Sequence, residues 1–222
     1  MVGMEDPTLA ATPMIDSDHP AVIEYAQQHA VGDSARDRAV ALFYAVRDDF
    51  RYDPYRIDVS VEGMKASTVI RNGYGWCVPK ATLLAAACRV VGIPARLGFA
   101  DVRNHLSTER MRQVMGTDVF HWHGFTEILL DGRWVKATPA FNIELCDKFG
   151  LLPLEFNGRD DSIYHRFDRN GHEHMEYVAH RGSFDDVPLE QIIADFAAQY
   201  PLWSPDIDAG EFDVDVARET GR

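Results

Sequence analysis

The residues best placed to do chemistry lie in GYGWCVPKATLLAAACRVVGIPAR, residues 73–96. Two glycines and a tryptophan lead to Cys77, Pro79 and an apolar run rich in Ala and Leu follow, and Gly92-Ile93-Pro94 ends the run. This is the outline of one helix with Cys77 in its first turn. A thiolate is the reactive form of cysteine, and the unpaired N–H groups and positive dipole end of a helix N-terminus stabilise it. Gly73 and Gly75 permit a tight approach, and Pro79 gives up an N–H that has no partner inside the helix. The expectation is therefore an exposed, activated thiol at Cys77. The alternative is a small buried hydrophobe, which is what most cysteines are. That second reading is taken for Cys88, mid-helix behind three alanines, and for Cys146.

A nucleophilic thiol needs a base, and residues 120–127, FHWHGFTE, offer His121 and His123. Strict strand alternation would put His121, His123 and Phe125 on one face and Trp122 on the other. A histidine on a strand can face a cysteine on a helix and form a thiolate–imidazolium pair, if a third group holds the ring. The other possibilities are a histidine satisfied in the core, or a metal pair of His121 and His123. The metal pair has no obvious third soft ligand.

Taken in order, Gly-Trp-Cys, a helix ending in GIPAR, His-x-aromatic-x-Glu and Asp-Gly-x-Trp-Val resemble the transglutaminase-like superfamily of papain-fold cysteine enzymes. The resemblance covers roughly residues 40–140, and the whole chain is similar to bacterial transglutaminase-domain proteins. It implies that Cys77 is the nucleophile and that His123 is the base, because His123-Gly124-Phe125-Thr126-Glu127 fits the family pattern and brings Trp134 into register. His121 becomes a neighbour and Glu127 a structural residue. In the family an Asp-Pro closes the next strand and that Asp orients the histidine, whereas this chain has Thr138-Pro139. A threonine hydroxyl can accept the imidazole N–H but does not stabilise imidazolium as a carboxylate does. Asn142, one short turn farther, is favoured as the orienting group, as in papain-type sites, with Thr138 as its rival. The oxyanion and substrate-binding surface is assigned to the Cys77 N–H, Tyr52, Trp76 and His121, although Tyr52 also reads as an ordinary core tyrosine.

These expectations imply acyl transfer at a peptide or amide bond through a thioester, by a peptidase, amidase or transglutaminase-type enzyme with no cofactor and no metal. Hydrolysis is preferred, in the absence of Ca²⁺-loop motifs. The missing carboxylate leaves open a catalytically inactive module that binds a peptide or protein partner. A third reading, a metal-dependent hydrolase, rests on His165, His172, His174 and His180, but the arginines among them favour solvated strands and loops.

The elements that must position these groups follow from periodicity. Residues 18–32 read as a helix with Asp18 as its cap and Gly32 as its stop, and residues 33–50 as a second with Ala39, Leu42, Phe43, Val46 and Phe50 on one face. ASTVIRNG is a short helix ahead of the Cys77 helix, 95–102 a strand, and LSTERMRQVMGT a short exposed helix. Asp131-Gly132 between two apolar strands is a strong hairpin signal. PLEQIIADFAAQY is a last helix before an acidic tail, and 153–177 is expected to form one wall of a substrate cleft. The fold expected is α+β and papain-like, N-terminal helices packed on an antiparallel sheet with the Cys77 helix between them. It is divided into an acidic segment 1–18, one domain 19–203 with core 40–140 and elaboration 141–203, and a tail 204–222.

The formal charge is −13, and residues 1–18 and 204–222 carry −4 each, so the body between them is only mildly acidic. No basic stripe remains to meet phosphates, which excludes nucleic acid as a partner class. No apolar run reaches the length of about 18 residues that spans a membrane. The N-terminus lacks the basic and apolar regions of a signal peptide, and the three widely spaced cysteines do not suggest a disulfide framework, so a cytoplasmic location is the expectation.

Overall fold

The computed structural model describes residues 6–104, 107–163, 169, 171, 175–200 and 210–221. Two helices come first, α1 (Pro20–His29) and α2 (Ala35–Asp49). α2 opens on a capping box in which Ser34 and Asp37 exchange hydrogen bonds. At α1 the cap is His19, whose Nδ1 accepts the Ala21 N–H at 3.2 Å, and not Asp18. Pro20 is the reason: its fixed φ suits the first helical position, so the residue before it becomes the cap.

A two-residue strand β1 (Arg51–Tyr52), a turn of helix α3 (Val61–Met64), α4 (Ala66–Asn72) and a second short strand β2 (Tyr74–Gly75) lead to α5 (Cys77–Val90). β1 and β2 pair in parallel, Tyr52 beside Gly75, which sets Tyr52 next to the start of α5. Every residue of α5 from Cys77 to Arg89 is buried. Most residues of this buried helix are apolar, and Ala81, Ala85, Ala86 and Ala87 let α1, α2, α4 and the sheet approach it closely.

The sheet is antiparallel with strand order β5-β4-β3-β6: β3 (Ala95–Asn104), β4 (Val119–Leu130), β5 (Arg133–Ala137) and β6 (Met175–Phe184). The β4–β5 hairpin turns on Asp131 at φ +49° and Gly132 at φ +77°, the left-handed pair that a two-residue hairpin loop demands. α6 (Glu109–Met115) lies between β3 and β4 and α7 (Ile143–Phe149) follows β5; α8 (Leu189–Gln199) and α9 (Phe212–Thr220) come after β6. The fold is thus α+β, with α5 between helices and sheet. Among the described residues no helix is long and apolar enough to cross a membrane.

Two differences from the sequence expectations have clear physical causes. α6 is not simply exposed, because Met111 and Met115, four apart, are both buried. α8 is not the last helix: within the acidic stretch, Phe212 and Val216 share the same spacing and are buried as α9. Phe212 stacks near Tyr52 and Tyr55, and Asp215 accepts bonds from the Tyr55 hydroxyl at 2.9 Å and Arg110 at 2.8 Å. The N-terminal acids are used similarly. Buried Asp16 accepts the Ser67 N–H at 3.2 Å, capping the first turn of α4 from outside the helix.

One buried cation ties the site-bearing pieces together. Lys80, with no solvent exposure, donates to the carbonyls of Arg47 at 2.9 Å, Phe50 at 2.6 Å and Ala140 at 2.9 Å. It joins the end of α2, the residue before β1 and the chain after β5 to the first turn of α5. Replacing it by Met would strand three buried carbonyls. Lys80→Met is expected to lower unfolding stability by about 3 kcal/mol in urea denaturation, and a loss within experimental error would show that water replaces the ammonium.

Candidate active site

The first turn of α5 has no side-chain cap. The backbone N–H groups of Val78 and Cys77 there, with that of Gly124 on β4, favour the anionic form of the Cys77 sulfur. The β4–β5 ladder ends at Thr126 and Ala137, and beyond it the Gly124 edge of β4 meets α5. A Cβ on Gly124 would stand 3.0 Å from the Val78 backbone, tighter than an ordinary contact, so glycine suits this close approach.

The expectation of an exposed thiol is overturned. Cys77 is 6% exposed, and burial pushes its thiol up to about 11 even though the three N–H groups act in the opposite direction. Removing a charge from water outweighs three amide dipoles here. Cys88 and Cys146 are buried as well, and burial pushes both to about 12.

Cys77 opens on a cavity lined also by Tyr52, Trp76, His121, His123, Phe141 and Tyr200. The structure thus brings together five of the residues singled out from sequence: Cys77, His123, Tyr52, Trp76 and His121. Tyr52 is held close to the thiol, and its phenol is pushed well above its ordinary value by burial and then by the neighbouring Cys77 and Asp53. The other two residues singled out do not line this cavity. Asn142 stands at the N-cap position of α7 without a side-chain bond to that helix, and its Oδ1 accepts the Tyr52 N–H at 3.1 Å, so it fixes β1. The Thr138 hydroxyl donates to the Ile163 carbonyl at 2.9 Å.

Strict alternation fails in β4. Val102 pairs with Phe120 and Ala100 with His123, so His121 and Trp122 together oppose Asp101. This is a β-bulge, with Trp122 at φ +62°. Cross-strand partners share a face, and Ala100 and Val102 are two apart; Phe120 and His123 therefore share one face. His123 and Phe125 remain together as expected, but His121 leaves them for the side of Asp101. There its Nδ1 lies 3.1 Å from Asp101 Oδ2 and 3.2 Å from an Arg181 nitrogen. The sequence reading missed Asp101, Arg181 and Tyr200. No local motif marks them, since they converge from β3, β6 and the end of α8.

Glu127 is buried and paired with Arg96 at 2.7 Å, a structural role. His165, His172 and His174 lie outside the described residues, and His180 is exposed on β6. Of the segment 153–177 expected to wall the cleft, Met175 lines the cavity.

Two solved structures are similar in part. One, a provisionally named cysteine protease from Cytophaga hutchinsonii, is 18% identical with a TM-score of 0.46; the match covers 82% of this chain and 55% of that one. The other, a provisionally named protease from Parabacteroides distasonis, is 17% identical with a TM-score of 0.38, covering 56% of this chain and 25% of that one. The chain therefore spans about half and a quarter of their lengths. Among curated proteins nothing matches the sequence. The model of the transglutaminase-like superfamily core matches residues 23–139, more than half of the chain and the whole of the helix and hairpin that carry Cys77 and His123, and the protein belongs to that superfamily.

Proposed function

We propose that the protein is a cysteine-dependent acyl-transfer enzyme acting on peptide or amide bonds, with Cys77 as nucleophile and His123 as general base. The observation that carries this reading is the shared cavity: a thiol on the first residue of a buried helix, ringed by backbone N–H groups, with an imidazole from β4 and the Tyr52 phenol lining the same space. Because burial favours the neutral thiol, its proton passes to His123 as sulfur attacks the carbonyl carbon, rather than before. The carbonyl oxygen becomes an oxyanion, met by N–H groups at the start of α5 and by Tyr52. Protonated His123 then gives its proton to the departing amine, which leaves a thioester on Cys77. Water or a second amine, deprotonated by His123, attacks the thioester and releases the acyl group, restoring the thiol. We take hydrolysis as the outcome.

The enclosed, neutral thiol and the Thr138 hydroxyl directed at Ile163 favour a second reading, a non-catalytic module that uses the cleft for a peptide or protein partner. One ester separates the two. With p-nitrophenyl acetate, in a Cys88→Ser, Cys146→Ser background, the enzyme reading expects nitrophenolate release that Cys77→Ala abolishes and His123→Ala lowers by about 10² to 10⁴-fold. Release indifferent to Cys77 would leave the binding module.

The raised thiol pKa gives a further check. The thiolate is the species alkylated, so with a thiol near 11 the iodoacetamide rate at Cys77 should climb steadily from pH 7 to pH 10, about tenfold per unit. A plateau reached by pH 7 would instead show a preformed thiolate–imidazolium pair.

A further inference from the structure

Trp122 is held in a backbone conformation that side chains rarely adopt, and its surroundings over-determine it. Its N–H donates to Asp101 Oδ1 at 3.2 Å and its indole N–H to Asp195 of α8 at 2.8 Å. Arg181 of β6 grips Asp101 through two bonds of 2.8 Å, bonds Asp195 as well, and lies over the indole 4.9 Å from its centre. The preceding residue is pinned too: the His121 N–H donates to the Tyr200 hydroxyl at 2.6 Å. Three elements outside β4 thus converge on two residues of one bulge, and that bulge stands immediately before His123. It also turns Phe120 onto the face of His123, where both line the Cys77 cavity.

We propose that Asp101, held by Arg181, is a positioning residue that fixes the Trp122 bulge and so sets His123 and Phe120 together beside the Cys77 thiol. It touches neither thiol nor substrate and acts through the backbone of β4. Without its carboxylate the Trp122 N–H loses its acceptor, Arg181 loses the anion that places it, and the strained conformation has less to hold it. In the superfamily pattern a carboxylate after the hairpin steadies the histidine. Here a carboxylate on the other neighbouring strand, β3, steadies the backbone that carries it. The proposal rests on the reading of His123 as base.

The test uses the full chain with Cys88→Ser and Cys146→Ser, and p-nitrophenyl acetate as the probe. Asp101→Ala is expected to lower Cys77-dependent release about tenfold or more, and to lower it no further when His123→Ala is already present, because the two residues act as a unit. Asp101→Asn retains an oxygen for the Trp122 N–H and should recover part of the loss. An equal loss in both backgrounds would mark general damage to packing and overturn the proposal. Full activity in Asp101→Ala would do the same, as would release that depends on His121 and survives His123→Ala. A second measurement needs no activity. The His123 ring resonances should shift on Cys77→Ser in the parent, and that response should be lost in Asp101→Ala. If the parent shows no Cys77-dependent release, the reading of function fails while these spectra still decide the positioning, an unchanged response in Asp101→Ala overturning it.

Discussion

Lys80 gathers three carbonyl oxygens from three separate parts of the chain, and the surroundings of Cys77 depend on that one ammonium. Burial pushes its pKa down to about 7, and full coordination by carbonyls is what makes a buried cation tolerable at all. Its position is as important as its charge. It stands one helical turn from Cys77, so the chain before β1 and the chain after β5 are drawn to the same end of α5. Tyr52 is placed on one side of the thiol and Phe141 nearby as a consequence. At the far end of α5, buried Arg89 does the equivalent work, bonding the carbonyls of Ala95, Ala10 and Asp185. The central helix is mostly apolar and is anchored by a basic side chain near each end.

The same burial that makes α5 a rigid core sets the chemistry of its first residue. A helix N-terminus favours an anion by an amount felt only within the first turn. Desolvation acts on the whole sulfur and here exceeds it. Burial therefore favours the neutral thiol at Cys77 in spite of its place at the start of a helix. Asp101, Arg181 and Asp195 surround Trp122, whose backbone stands at φ +62° immediately before His123.

The acidity of the chain takes on a different meaning in three dimensions. Asp16, Asp101 and Asp215 are buried and accept hydrogen bonds from the chain, capping a helix, holding a bulge and docking α9. Asp16 and Asp215, from the acidic stretches at the two ends of the sequence, thus help to close the fold over the core.

The order of the main helices and strands, the Asp131-Gly132 hairpin and the position of Cys77 at a helix start were legible in the sequence, because periodicity, glycine conformation and helix stop signals act between residues close in the chain. So was the grouping of Cys77, His123, Tyr52, Trp76 and His121 around one cavity, through a motif order tied to one fold. Three features were not. The depth of Cys77 depends on what covers it, and α8 arrives more than a hundred residues later. The separation of His121 from His123 depends on one extra residue in a ladder, visible only once Ala100 and Val102 have found their partners. Asn142 sits near the right place in sequence, yet its amide serves β1. Local rules determined which elements form and which residues they carry; tertiary structure alone decided the burial of the thiol and the direction in which each histidine points, because burial and strand register are properties of contacts between distant segments.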